Sequence, residues 1–196
     1  MESMPEIGLE HAFPQANLLM SKLIGLIVVM WACGFSAAAT LEQLSLDQMT
    51  QSATAIVRAR VTGSSASFTG STIYTHYKLQ TSEIWKGAAA AEVMLPGGVA
   101  GGIRQSFPGV PSLQAGAEYV LFLWTSSTGI THLVGLSQGI FNVTQQTGGS
   151  MQVGRPVIGE TILDANGRLV KDQAVQMQLS DMKTRISQTI AAGTNR

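Results

Sequence analysis

The feature that most constrains this fold is a series of short strand-like segments separated by turn residues. Ala and Val alternate with Ile and Arg over residues 55–61, which is typical of a strand with one buried face, and the apolar run at 118–124 fits a central strand. Further strand patterns cover residues 73–85, 92–95, 130–134, 139–143, 151–153 and 159–163. Short strands at these intervals predict a mainly β protein built as a small barrel or sandwich.

Two helices are predicted to flank the strands. Ser45 and Gln48 have the spacing of a capping box, which indicates a short helix over residues 45–52. Near the C-terminus, apolar residues recur every four positions, as on one face of an amphipathic helix: Met182, Ile186 and Ile190. Ser180 is expected to cap the start of this helix and Gly193 to end it. Because an apolar stripe needs a surface to cover it, we expect the helix to dock on the β domain.

Turn residues mark the connections between these elements. The Ser/Gly-rich segment 63–70 is predicted to be a turn, and residues 166–167, Asn-Gly, a hairpin turn. The alternation of the second strand breaks before residue 84, which predicts a bend or bulge there. The stretch 96–111 contains Pro and Gly throughout, so we expect a long loop without a regular element.

Residues 20–39 have the parts of an export signal in order. Lys22 supplies a basic start, an apolar run follows, and residues 36–39 are the small residues that a signal peptidase needs. Residues 1–19 contain no Lys or Arg, and we interpret them as an N-terminal extension from a start codon assigned too far upstream. The protein is therefore expected in the periplasm or secreted. An uncleaved membrane anchor and a lipid attached to Cys33 are the alternatives.

The remaining chain is predicted to form a β-barrel domain over residues 40–170, followed by a C-terminal helix and tail at 171–196. From Thr40 onward it has 11 basic and 9 acidic residues, too weak a charge to indicate nucleic acid or an anionic membrane as partner. Cys33 is the only cysteine, so a chain cleaved before Thr40 has neither a disulfide nor a thiolate metal site. We expect no cofactor and no metal.

The long loop is the candidate binding site, because loops of this length in compact domains are often functional. Its backbone amides and small side chains suit β-augmentation or insertion into a cleft of another protein. A passive surface connection is the alternative. The residues predicted to bind are Pro96, Gly97, Gly98, Gly101, Gly102, Arg104, Pro108 and Gly109.

We predict no catalytic residues. Ser137 lies in a Gly-Leu-Ser-Gln-Gly sequence that matches a nucleophile elbow, but an elbow needs a helix after it and a strand pattern follows. His76 and His132 lie inside predicted strands and lack the spacing of a zinc site. A serine hydrolase that uses Ser137 is the alternative to a non-enzymatic protein.

A second alternative is a carbohydrate-binding module. Tyr74, Tyr77 and Trp85 lie in one predicted strand and would supply a stacking face for a sugar. Core packing or cross-strand pairing is the more common role of such residues.

The order of parts resembles a known family. The chain has a capped helix, then the sequence TAIVRARV, then a long strand that ends in IWKG, and then the sequences LPGG and YVLFLW. This order is similar to that of the five-stranded OB-type barrel of netrin-like domains and tissue inhibitors of metalloproteinases. They look closer still to uncharacterised bacterial exported domains, some of which precede matrixin-type metalloproteases. The resemblance covers about residues 40–145. Those inhibitors chelate zinc through an N-terminal cysteine, whereas Thr40 would stand at that position here, so the resemblance implies the fold and not the inhibitory mechanism.

The predicted fold is thus a mainly β, small OB-like antiparallel barrel with a short N-terminal helix and a C-terminal amphipathic helix. The predicted function is that of an exported, non-enzymatic protein-binding domain. Its partner is expected to be a protein, either a secreted protease or an envelope component, and neither nucleic acid nor, after cleavage, a membrane. The oligomeric state stays open.

Overall fold

A computed structural model describes residues 40–194. The predicted extension 1–19 and the predicted signal 20–39, with Cys33, lie outside the described residues. The strands are β1 Thr40–Glu42, β2 Ala55–Thr69, β3 Thr72–Lys86, β4 Glu92–Pro96, β5 Gly98–Ala100, β6 Ile103–Gln105, β7 Glu118–Thr125, β8 Thr131–Leu133, β9 Ile140–Gln145, β10 Met151–Arg155, β11 Thr161–Leu163, β12 Leu169–Val170 and β13 Val175–Gln178. The helices are α1 Leu46–Ser52, α2 Leu179–Thr194 and a 3-10 helix at Leu136–Gly139.

The protein is mainly β, as the sequence predicts. Seven strands of the main sheet follow one another in the order β13-β10-β9-β7-β2-β3-β4, and β8 pairs with β7 as the eighth. The sheet therefore takes in residues 175–178, beyond the predicted 40–170 barrel. Two smaller sheets contain β1-β11-β12 and β5-β6.

The main sheet does not close into a barrel within the described range. The outer edge of β4 has no ladder partner, since β8 is only three residues long and makes its ladder with β7. β8 nevertheless lies beside β4, where Nδ1 of His132 is 3.3 Å from the carbonyl oxygen of Met94. The described strands thus form an open sheet with β8 near its β4 edge, and the predicted OB-like barrel is not confirmed.

Both faces of the two central strands are buried. Val57, Val61 and Leu121 belong to one apolar cluster, while Ile56 and Phe122 belong to a second cluster on the opposite face. All five are fully buried. The sequence predicts one buried face for β2, and the second arises because both helices cover it.

The helices supply the second apolar layer. The predicted capping box of α1 is present: the Gln48 amide N–H donates to Oγ of Ser45 at 3.2 Å, and the Ser45 amide donates to Oε1 of Gln48 at 2.8 Å. Met182 and Ile186 of α2 are fully buried against the sheet, which confirms the predicted docking.

The predicted ends of α2 are wrong. Ser180 lies inside the helix, because the apolar stripe begins at the buried Leu179, immediately after β13. Gly193 also lies inside, in the last turn. One glycine in an exposed helix costs only about 1 kcal/mol, which does not suffice to end it.

The predicted turn at 63–70 is also wrong for most of its length. β2 continues in register with β3 as far as the pair Thr69–Thr72, and Gly70 begins the turn with φ +63°. The small Ser and Gly residues lack the apolar alternation of a strand because this part of β2 is largely exposed. Ladder hydrogen bonds to β3 hold it extended. The predicted bulge before residue 84 and the hairpin turn at 166–167 are confirmed.

One ionic cluster joins the sheet to α2. Glu83 contacts Nη1 of Arg58 at 2.9 Å and Nζ of Lys183 at 2.6 Å. The indole N–H of Trp85 donates to the same carboxylate at 3.1 Å. These hydrogen bonds, with Lys183 the strongest cause and Trp85 next, lower the pKa of Glu83 from 4.5 to about 2.

A buried glutamine joins the start of the domain to the 3-10 helix. The amide N–H of Leu44 donates to Oε1 of Gln138 at 2.9 Å, and Nε2 of Gln138 donates to the carbonyl oxygen of Glu42 at 2.8 Å. The Gln138 side chain is almost wholly buried. It therefore satisfies two partly buried backbone groups and keeps its own amide paired in the interior.

Replacing Glu83 with Gln should flatten the dependence of stability on acid pH. Because the pKa of Glu83 is depressed in the folded state, its carboxylate contributes stability above pH 4.5, and this is lost as the pH falls toward 2. Urea unfolding at several pH values in this window measures the slope. Glu42→Gln, at an exposed position, is the control and should keep the wild-type slope. Equal slopes for Glu83→Gln and wild type would contradict the ionic cluster.

Replacing Gln138 with Met should destabilise the protein by about 1–3 kcal/mol, because two partly buried backbone groups lose their partners. Gln176→Met is the matched control. That side chain is exposed and, within residues 40–194, its one hydrogen bond is to Gln152, so about 0.5 kcal/mol or less is expected. Urea denaturation at neutral pH gives both values, and equal losses would show that Gln138 does not join the two segments.

Candidate functional site

The predicted binding loop contains a β-hairpin. Pro96 ends β4, Gly98 begins β5, and Arg104 lies at the centre of β6. Gly97 joins β4 to β5, Gly101 and Gly102 form the hairpin turn, and Pro108 and Gly109 lie in a turn after β6. The prediction of an irregular loop is therefore wrong for residues 98–105. Gly101 and Gly102 have positive φ values of 57° and 76°, which let the chain reverse here.

The β5-β6 hairpin is anchored to the far end of β2 and β3. Oγ1 of Thr75 donates to the Gly97 carbonyl at 2.7 Å, and the Ile73 amide donates to Oε1 of Gln105 at 2.7 Å. Nε2 of Gln105 also donates to the Ser71 carbonyl at 2.9 Å. The anchor sets the position of the hairpin relative to the main sheet.

Both faces of the hairpin carry an exposed apolar side chain. Val99 lies opposite Arg104 in the ladder and Ile103 opposite Ala100, so Val99 and Ile103 lie on different faces. Their exposed fractions are 51% and 52%. Both faces of the hairpin are therefore partly open to solvent.

Two aromatic side chains extend this apolar surface. A Cβ built on Gly101 would lie 3.3 Å from the Phe68 ring, and one built on Gly97 would lie 3.7 Å from the Phe107 ring. Both rings therefore lie beside the hairpin, with exposed fractions of 46% and 42%. We define the hairpin wedge as the set Phe68, Val99, Ile103 and Phe107. The only charged residue in the segment 93–117 is Arg104.

A cross-strand polar cluster lies on β2, β3 and β4. Nε2 of His76 is 3.0 Å from Oγ of Ser67, and its Nδ1 is 3.3 Å from Oε1 of Glu92. This order of atoms is that of a catalytic triad. Ser67 and Glu92 are exposed, however, so water competes for every contact, and electrostatic stabilisation of an oxyanion is weak in an open site. We interpret the cluster as cross-strand hydrogen bonding.

Ser137 lies in the 3-10 helix, with β9 directly after it in place of the helix that an elbow requires. Its buried Oγ has no hydrogen-bond partner among residues 40–194, so no described histidine acts on it as a base. The backbone geometry explains why glycine stands on both sides of this segment. Gly135 has φ +61°, and a Cβ on Gly139 would lie 2.3 Å from the Val134 carbonyl oxygen.

The three aromatic residues considered for sugar binding do not share a surface. Tyr77 is buried in the first apolar cluster, and Trp85 packs against the second, with Nζ of Lys183 5.9 Å from its ring centre. Only Tyr74 lies near other partly exposed rings. His132 is 6.4 Å from Tyr74 and 6.3 Å from Trp124, measured between ring centres. The sequence does not predict this row of three rings, because strand pairing brings the rings together.

The described part of the chain gives no sign of a metal centre or a spanning helix. Across residues 40–194, no three His, Cys, Asp or Glu side chains come together as metal ligands would. Neither α1 nor α2 combines the length and apolar character needed to cross a bilayer. These two findings concern the described residues alone.

Comparison with known proteins identified no relative: neither a scan against family models nor a search of curated proteins found a match.

Replacing Gly98 with Ala should detach the hairpin from its anchor. The new Cβ would lie 2.6 Å from Oγ1 of Thr75 and 3.0 Å from Cβ of Ala66, at a backbone φ of +138°. We expect faster proteolysis within residues 97–111 and a stability loss of about 2 kcal/mol. Gly102→Ala is the matched control, because it also has positive φ but its Cβ meets no atom within 4 Å. Equal proteolysis of the two variants would contradict the anchor.

Proposed function

We propose that this protein is an exported, non-enzymatic protein-binding domain that inserts the hairpin wedge into an apolar cleft of a partner protein. One observation carries the proposal. Four of the eight large apolar side chains that are exposed in residues 40–194 belong to the wedge. A group of exposed apolar side chains on and beside an anchored hairpin is typical of an interaction site.

The wedge is large enough to contribute substantially to binding. Fully burying one large apolar side chain gains about 1.5–3 kcal/mol, and each wedge residue is already about half buried. Burying four such side chains thus gains about 3–6 kcal/mol, which offsets part of the roughly 4–15 kcal/mol that association costs. The remaining affinity has to come from backbone pairing at β6 and from Arg104, which favours a cleft with a carboxylate at its rim.

The proposed partner is a protein outside the cytoplasm, either a secreted metalloprotease or an envelope component. The leader-like residues 20–39 support the compartment, and the resemblance to netrin-like domains supports the class of partner. We also propose that the main sheet is an OB-type barrel left open at one seam. The neighbouring order β7-β2-β3-β4, with β8 beside β4, supports this assignment.

Site-specific crosslinking in the cells that make the protein tests the proposal. A photo-reactive amino acid at position 103 should form an adduct with a secreted or envelope protein, which mass spectrometry identifies. The same group at position 84 is the control, since Ile84 is equally exposed, at 51%. It should form no adduct, because it lies outside the wedge. Val99→Ser should then weaken binding of the purified partner about tenfold, in line with the loss of one buried apolar side chain.

Two outcomes would overturn the proposal. One is an adduct at position 84 that equals the adduct at position 103, which would indicate unspecific contact. The other is a partner that binds the Val99→Ser protein as tightly as the wild type. An adduct with a cytoplasmic protein alone would refute the proposed compartment.

A further inference from the structure

Three partly exposed rings form a row where β8 lies beside β4. Trp124 of β7 pairs with His132 of β8 in the ladder, and an angle of 20° separates the planes of their rings. Tyr74 of β3 reaches the same imidazole from the other side of β4. Trp124 is 47% exposed, and Tyr74 and His132 are partly exposed. Each member of this ring row thus keeps surface that a ligand can contact.

The cross-strand polar cluster lies next to the ring row on the same face of the sheet. Tyr74 and His76 are alternate residues of β3, so their side chains point to the same side. His76 contacts the Glu92 carboxylate, and the Glu92 side chain is 46% exposed. Ser67, which also contacts His76, lies opposite Tyr74 in the ladder. The surface therefore combines ring faces with exposed hydrogen-bonding groups.

The charges on this face favour a neutral ligand. Lys78 follows His76 on the same side of β3 and lies opposite Glu92 in the ladder. Their formal charges balance, so this part of the described sheet has no excess of positive charge. Nucleic acids bind mainly through such an excess, which pairs with their phosphates.

The Glu92 carboxylate favours a ligand that is rich in hydrogen-bond donors. An ionised carboxylate only accepts hydrogen bonds. Pro-rich peptides, which also dock on aromatic surfaces, have few N–H donors because proline lacks this group. Sugar hydroxyls donate as well as accept, and the C–H faces of a sugar ring pack against aromatic rings. A glycan therefore uses both the rings and the carboxylate.

The ring row is separate from the hairpin wedge. In the ladder between β2 and β3, Phe68 lies opposite Ile73, whereas Ser67 lies opposite Tyr74. Successive residues of a strand point to opposite faces, so Phe68 and Tyr74 lie on different faces of this strand pair. The ring row is thus available to a ligand other than the protein partner of the wedge.

We propose that the ring row binds an extended neutral glycan with β-1,4-linked sugar rings. Successive sugar rings pack their C–H faces against Trp124, His132 and Tyr74. Hydroxyl groups of the glycan donate hydrogen bonds to the carboxylate of Glu92. This binding function goes beyond the proposed insertion of the wedge into a protein and does not depend on it.

Isothermal titration of the full-length protein with cellohexaose and chitohexaose tests this proposal. At least one of the two should bind saturably, with a change in tryptophan fluorescence as the second readout. Glucose should bind at least tenfold more weakly, because one sugar ring cannot cover the row. Poly-L-proline should also bind more weakly, since it has no donor for Glu92.

Variants at Trp124 test the role of the ring. Trp124→Leu should weaken glycan binding about five- to tenfold, because leucine is apolar but has no aromatic face. Trp124→Phe keeps such a face and should retain most of the binding. Ile84→Ala is the control: it removes an apolar side chain of similar exposure from outside the row and should leave binding unchanged.

A second pair of variants tests the polar part of the site. Glu92→Ala should weaken glycan binding about three- to tenfold, because the hydroxyl groups lose an acceptor. Glu42→Ala removes an exposed carboxylate from β1, outside the ring row and the polar cluster, and should leave binding unchanged. Melting temperatures close to that of the wild type show that both variants are folded.

Four results would overturn the proposal. Absence of saturable binding of both hexasaccharides would show that the ring row does not bind such glycans. Equal effects of Trp124→Leu and Ile84→Ala would indicate unspecific apolar contact. Poly-L-proline that binds as tightly as the glycan would indicate a peptide site, and equal binding of glucose would contradict an extended ligand. The crosslinking experiment at position 103 tests the wedge independently of all four.

Discussion

The whole structure depends on the burial of β2 and β7 from both sides. One face of this strand pair packs in one apolar cluster with residues of β3, β4 and β8, and the other face is covered by α1 and α2. Without disulfides in residues 40–194, these two apolar layers have to provide most of the stability. The ionic cluster at Glu83 and the buried Gln138 then fix how the helices and the first strand lie on that core.

The two-sided core ends before β2 does, and this leaves the hairpin wedge outside it. From about Gly63 onward β2 is largely exposed. The hairpin that carries the wedge is anchored here through Thr75 of β3. A partner at the wedge would thus contact the fold away from the layer that the helices form.

Local signals in the sequence predict the elements whose causes are local. The capping box of Ser45, the stripe of α2 and the break before residue 84 each depend on residues close in sequence. Features that depend on distant partners were missed or misread. Residues 63–69 are a strand because β3 pairs with them, and the loop at 98–105 is a hairpin because Thr75 and Ile73 of β3 bond to it.

The contacts of Gln138 also bear on the order in which the chain folds. Its two hydrogen bonds join residues that are 94 and 96 positions apart, and β1 pairs in parallel with the still more distant β11. Closing loops of this length is entropically costly, so such contacts form late. During synthesis, the first strand of the domain has to wait without a partner until residues 161–163 have emerged. The segment next to the predicted signal is therefore secured late, after most of the main sheet has emerged.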